Sequence, residues 1–303
     1  MYQQSYRLRR GPFEISPDPA FLFHTKKHYE ALATMYYGVR HQKGFVVLTG
    51  EVGTGKTLLV RCLLHLFQGN DFACAYVFNS RLSPREFLQY IAADLGLAVS
   101  GKNKTEILLE LGRYLLCRHH KELLTVLVVD EAHDLSAEAL EEVRLLTNLE
   151  TAQRKLLQVL LVGQLELDEK LDSIRLRQLK QRIALRCHLG PLDLEESGGY
   201  IRHRLQLAGT DPDSSRLFPD ETVEAVYRYS AGIPRLINTL CENALITAYA
   251  RQLPAVPTEI IDEVAADLRL AVLHPGHSPQ NPKHCDGLDR IAGKACCRSF
   301  QPH

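Results

Sequence analysis

Eight consecutive residues, Gly50-Glu51-Val52-Gly53-Thr54-Gly55-Lys56-Thr57, fit the spacing G-x-x-x-x-G-K-[ST] between an apolar run and an amphipathic stretch. The chemistry of such a segment is phosphate capture. Its glycines permit backbone angles that turn successive N–H groups inward, at the start of a helix whose own first N–H groups are free. The ammonium of Lys56 is expected to reach the β- and γ-phosphates of a nucleotide, and the Thr57 hydroxyl to bind Mg²⁺. With Leu58, the expected nucleotide-binding segment runs over residues 50–58. A chance glycine turn would lack the strand before it and the helix after it.

A second cluster lies 73 residues further on. The run Thr125-Val-Leu-Val-Val ends in Asp130-Glu131, and a buried strand ending in a carboxylate delivers it to the edge of a sheet where α/β folds bind ligands. Asp130 is expected to hold Mg²⁺ through water, and Glu131 to orient and polarise an attacking water. The alternative is that both only favour the following helix N-terminus, as carboxylates do. Gln164 follows another apolar run, where its amide can bond a γ-phosphate or that water; an ordinary loop position is the alternative. Two guanidinium groups complete the set. Arg182 precedes the last apolar run and Arg235 opens a later helix, and either can stabilise a phosphoryl-transfer transition state. Around Arg182, however, stand Arg175, Arg177, Lys180 and Arg186, so a solvated basic face or a nucleic-acid patch competes with catalysis.

The elements that must position these residues alternate. Helix His24–Tyr37 precedes strand Phe45–Thr49; then come helix Thr57–Phe67, strand Ala73–Phe78, helices Pro84–Leu95 and Thr105–Arg118, and strand Thr125–Asp130. Helix Ala137–Leu149, strand Gln158–Val162, one helix through Leu165–Gln181 and strand Ala184–Leu189 close the series. Five short, continuously apolar strands alternating with helices predict an α/β fold with a parallel sheet covered on both faces. After Gly190-Pro191 the strands stop. Helices Glu195–Ala208, Asp220–Ser230, Pro234–Arg251 and Thr258–Leu270 predict a small all-α domain. The expected organisation is an irregular N-terminal segment (1–25), an α/β core (26–190), a helical domain (191–272) and a disordered tail (273–303).

Composition narrows the class. The chain has 303 residues, with Lys+Arg 36 balanced by Asp+Glu 36, so any nucleic-acid or lipid binding must come from a local patch. No apolar run approaches the roughly 20 residues of a membrane-spanning helix, so no direct membrane insertion is expected. The polar, basic start does not resemble a signal peptide. Cys62, Cys74, Cys117, Cys187 and Cys241 lie singly among apolar residues, as small buried hydrophobes of a reduced compartment do. The location expected from this is cytoplasmic.

Taken together, the loop, Asp130-Glu131, Gln164, Arg182 and Gly232-Ile-Pro-Arg235 stand in the order of the AAA+ ATPases, which the sequence resembles. Within them it is similar to the general secretion pathway protein A group and related pilus- and exopolysaccharide-associated ATPases. Pro12-Phe13, Pro17-Asp18-Pro19, Leu179-Lys-Gln-Arg-Ile183 and Tyr200-Ile-x-His-Arg-Leu205-x-x-Ala-Gly209 support that likeness over residues 5 to about 270. The resemblance implies a P-loop NTPase core under a helical lid, hydrolysing ATP with Mg²⁺ as a homo-oligomer. It implies that Gln164 is sensor 1, Arg182 an arginine finger given to a neighbouring subunit, and Arg235 sensor 2 on the lid. It also implies a membrane-complex protein partner and a position peripheral to the inner membrane. Similar modules regulate DNA transposition, which makes a DNA-binding ATPase the runner-up. Secretion relatives commonly continue into a transmembrane helix and a peptidoglycan-binding region, whereas here the sequence after His274 is polar. His284-Cys285 and Cys296-Cys297 in that tail lack the C-x₂₋₄-C spacing of structural zinc sites, so no zinc is expected there.

Overall fold

Strand formation follows from the apolar runs. In a computed structural model, which describes residues 2–14, 18–67, 72–78, 82–151, 154–209 and 216–272, they form β1 (Phe45–Gly50), β2 (Phe72–Val77), β3 (Leu124–Val129), β4 (Gln158–Gly163) and β5 (Ile183–Leu189). All pair in parallel, in the order β2-β3-β4-β1-β5. Side chains alternate between the two faces. Phe45, Val47, Leu127, Val129, Val159 and Leu161 enter one apolar cluster; Val46, Leu48, Val126, Val128, Leu160 and Val162 enter another. Burial on both faces explains why the runs of β1, β3 and β4 are continuous; edge strand β5 departs from the expected continuous run and alternates, with Ala184, Arg186 and His188 exposed.

The helices are α1 (Tyr2–Ser5), α2 (Lys26–Arg40), α3 (Lys56–Leu66), α4 (Pro84–Asp94), α5 (Lys104–His120), α6 (Ala137–Leu146), α7 (Leu165–Leu171), α8 (Arg177–Lys180), α9 (Leu194–Ala208), α10 (Asp220–Ser230), α11 (Pro234–Ala250) and α12 (Thr258–Asp267). Reciprocal capping by Ser83 and Glu86, Asn103 and Glu106, and Asp193 and Glu196 fixes the starts of α4, α5 and α9. The helical C-terminal part, α9–α12, has its own core around Ile201, Leu205, Ile237, Leu240, Ala244 and Ile261.

Three expectations change. The single helix expected over Leu165–Gln181 is broken into α7, a 3-10 turn (Ile174–Leu176) and α8. In one straight helix Leu176 would face away from Leu167 and Leu171; the break buries all three with Leu179 and leaves Ile174 94% exposed. Secondly, the N-terminal segment is not irregular throughout, since it holds α1 and a 3-10 turn (Pro19–Phe21). Phe13 is fully buried edge-on to Phe218, the Tyr2 hydroxyl donates to Glu242 Oε1 at 2.7 Å, and the Arg9 amide donates to the Ala208 carbonyl. Thirdly, Cys117 is exposed. The other four cysteines in the described residues are buried or half-buried and free, and burial pushes the Cys74 thiol up to about 12 and the Cys187 thiol up to about 11. The tail and its His and Cys residues lie outside the described residues. Among those described, no helix is long and apolar enough to cross a membrane.

Candidate nucleotide-binding site

Three neighbouring strands, β3, β4 and β1, end together at the C-terminal edge of the sheet, with Thr49 level with Gly163 and Val129 level with Leu161. The loops leaving them therefore converge, as the rule for ligand sites on parallel sheets requires. After β1 comes the glycine loop, in which Gly53 (φ +81°) and Gly55 (φ +96°) occupy left-handed angles; Gly55 caps α3. The approach at Gly53 is close as well: a Cβ there would stand 2.7 Å from Arg235 Cβ.

Lys56 is buried inside the loop, its ammonium donating to the carbonyls of Gly50 at 2.8 Å and Glu51 at 2.7 Å. Burial lowers its pKa, while the negative charges of Glu131, Asp130, Glu166 and Glu51 act in the opposite direction. A buried cation held by two neutral carbonyls is suited to an anionic ligand. Thr57 Oγ1 donates to Asp130 Oδ2 at 2.9 Å, and the Tyr76 hydroxyl donates to the same oxygen at 2.8 Å. Asp130 Oδ1 accepts from the Glu131 amide at 3.0 Å. This set of hard oxygen donors suits Mg²⁺. Burial, then the Asp130 charge, raises the Tyr76 pKa, so its hydroxyl stays protonated.

A cleft of about 290 Å³ lies over the loop, walled by Val52, Gly53, Gly55, Lys56, Thr57 and Leu58 from below. Glu131, Gln164 and, from the start of α11, Arg235 line it as well. Gly50, Glu51, Thr54 and Asp130 do not line it: Thr54 donates to the Glu51 carbonyl, and Asp130 accepts from Thr57. Arg182 is elsewhere. It donates to the Arg144 carbonyl and to Thr147 Oγ1, both at 3.1 Å, at the C-terminus of α6. Two of the four basic residues around it are ion-paired, Arg186 with Asp168 and Lys180 with Asp172.

The sequence reading took Asp18, Tyr200 and Arg204 as marks of the family likeness and did not place them at the far end of the cleft. Glu14, Asp18 and Phe21 of the N-terminal segment face Tyr200, Arg204 and Asn238 of the helical part there. Buried Arg204 donates to the carbonyls of Pro12 and Glu14 and to the Tyr200 hydroxyl. The Phe21 ring lies 4.1 Å from the Arg10 guanidinium and 4.6 Å from that of Arg204. Tyr76 and His133 were missed too. Tyr76 could have been found from its place on the strand beside β3.

Glycine loop, hard oxygen donors and sheet order agree with the match of residues 39–171 to the model of the AAA domain family: the chain carries an AAA domain with a nucleotide-binding P-loop fold. More particularly, it is 44% identical over 252 residues to general secretion pathway protein A of Aeromonas hydrophila, covering 83% of this chain and 45% of that protein. The chain thus spans about half the length of this relative. Among solved structures, the Aeropyrum pernix ORC2 protein is similar in fold at a TM-score of 0.64 and 19% identity, over 88% of this chain and 73% of that one. The Cdc6p protein of Pyrobaculum aerophilum is similar at 0.65 and 16%, over 84% and 70%.

Proposed function

We propose that the chain binds and hydrolyses ATP, with residues 26–190 as the catalytic core, 191–272 as a lid and ATP held at the interface between copies of the chain. The single observation that carries this is the convergence of Lys56, Glu131, Gln164 and Arg235 on one cleft. The N–H groups of the glycine loop and the Lys56 ammonium would hold the phosphates. The Thr57 hydroxyl, and Asp130 through water, would hold Mg²⁺, which would supply positive charge against the phosphates.

Glu131 would take a proton from water as the water oxygen bonds the γ-phosphorus and the bond to the bridging oxygen breaks, giving ADP and phosphate. Gln164 would orient that water or the γ-phosphate. Arg235 would draw the lid onto the phosphates, and Arg182 would serve a neighbouring copy. Glu131→Gln tests the chemistry: ATP should stay bound while turnover falls strongly, and unchanged turnover at saturating ATP would reduce Glu131 to a helix-terminal carboxylate.

From the name of its relative we infer a task in secretion-type envelope assembly, carried out in the cytoplasm or on the inner membrane's cytoplasmic side. Recovery of bound partners with and without ATP tests this. A membrane-complex protein would support it, and salt-sensitive, ATP-dependent capture of duplex DNA would contradict it.

A further inference from the structure

The turn after β3 holds strain that phosphate binding does not use. Glu131 has φ +51°, left-handed for a residue with a Cβ, a conformation that persists only when its surroundings enforce it. Lys170 ties the turn to α7 by donating to the carbonyl oxygens of His133 and, at 2.8 Å, Leu135. Gly163 packs against it so closely that a Cβ would meet the His133 backbone nitrogen at 3.3 Å and Leu167 Cδ2 at 2.9 Å. The His133 imidazole, only 13% exposed, fills the remaining space. Its Nδ1 lies 3.4 Å from Glu131 Oε2 and accepts from the backbone N–H of Gln164 at 3.4 Å; its Nε2 faces Asp134 Oδ1 at 3.7 Å.

One ring nitrogen cannot serve both neighbours. To accept from Gln164, Nδ1 must present a lone pair, which repels the Glu131 carboxylate. To donate to Glu131, it must carry a proton, and then it opposes the Gln164 N–H. We propose that His133 is a positioning residue whose Nδ1 makes the placement of Glu131 depend on the β4–α7 loop. With Nδ1 occupied by the Gln164 amide, Glu131 is turned toward the cleft; with Nδ1–H on Glu131, the carboxylate is held back. Gln164 lines the same cleft, so a γ-phosphate that fixes this loop also frees the base. This rests on Glu131 being the base toward water.

The test uses the full chain. ATP hydrolysis and ATP affinity are measured separately for wild type, His133→Ala and His133→Asn, and the imidazole ¹⁵N resonances of His133 with and without a non-hydrolysable ATP analogue. Positioned proton transfer is worth roughly 10²–10⁴ in rate, so His133→Ala should lower kcat by about tenfold or more with ATP affinity within about twofold. His133→Asn keeps a polar atom at the Nδ1 position and should restore most of kcat. The Nδ1 resonance should move on analogue binding and differ in Glu131→Gln. The proposal is overturned by wild-type kcat in His133→Ala, or by equal losses of kcat and affinity that His133→Asn does not recover. If His133→Ala does not fold, an Nδ1 resonance indifferent to both analogue and Glu131→Gln overturns it. A wild type without ATP hydrolysis would instead sink the ATPase proposal, whereas one slowed by Glu131→Gln but indifferent to His133 sinks only this one.

Discussion

The backbone amide of Arg235 donates to the carbonyl oxygen of Gly53 across 3.2 Å, joining the first turn of α11 to the middle of the phosphate-binding loop. Helix α11 and the loop are therefore joined at this point, and a change in either is felt by the other.

Gly53→Ala tests that junction. The added methyl meets Arg235 Cβ and must also occupy φ +81°. A loss of about 1–3 kcal/mol in unfolding free energy is expected, with weakened ATP binding. Chemical denaturation and nucleotide titration measure the two. Wild-type values in both would mean that the junction opens freely.

Arg204→Met keeps the apolar stem but removes the donors to Pro12, Glu14 and Tyr200. Each acceptor left buried without its donor costs about 1–3 kcal/mol. The N-terminal segment should detach before the rest of the chain, becoming sensitive to protease near residues 8–24. Equal protease resistance in the variant and wild type would contradict this.

Acid should weaken the fold in a definite window. Burial lowers the pKa of His28 and of His203. Below the unfolded value of about 6.5 the unfolded chain binds more protons, so stability present above that pH declines as pH falls toward the lower folded values. Melting temperature should be lower at pH 5.5 than at 7.5. His28→Asn, which retains a polar atom near Thr25, should flatten the slope; an undiminished slope would assign it to other groups.

For Arg182 the local contacts and the proposed role in a neighbour's site make different demands. As the cap of α6 it contributes a few tenths to about 1 kcal/mol of stability. As a finger in trans it contributes roughly 10³–10⁵ in rate. Arg182→Ala should bind ATP normally, hydrolyse it poorly, and regain activity when mixed with Lys56→Ala, whose intact arginine completes the neighbouring site. A change in melting temperature alone would leave Arg182 as a helix cap.

What the sequence disclosed was whatever is local and periodic. The glycine loop, Asp130-Glu131 and Gln164 each follow an apolar strand, and parallel strands on one sheet must bring their loops to one edge; hence the phosphate end of the cleft was legible. The far end was not. Phe21 and Arg204 are 183 positions apart, and nothing in either segment's periodicity announces that a guanidinium will stack on that ring. His133 was hidden for another reason: it reaches the Gln164 amide only because Gly163 admits the turn so close. The break after Leu171 shows tertiary burial of Leu176 and Leu179 overriding helical propensity.

The most direct measurement is calorimetric titration of Mg·ATP into the wild-type chain and into Lys56→Ala. With Lys56 as the buried cation facing the β- and γ-phosphates, the wild type should bind with saturable heat. The variant should lose at least about tenfold in affinity, or roughly 1.4 kcal/mol. Equal affinity in the two chains, or no binding by the wild type, would contradict the account.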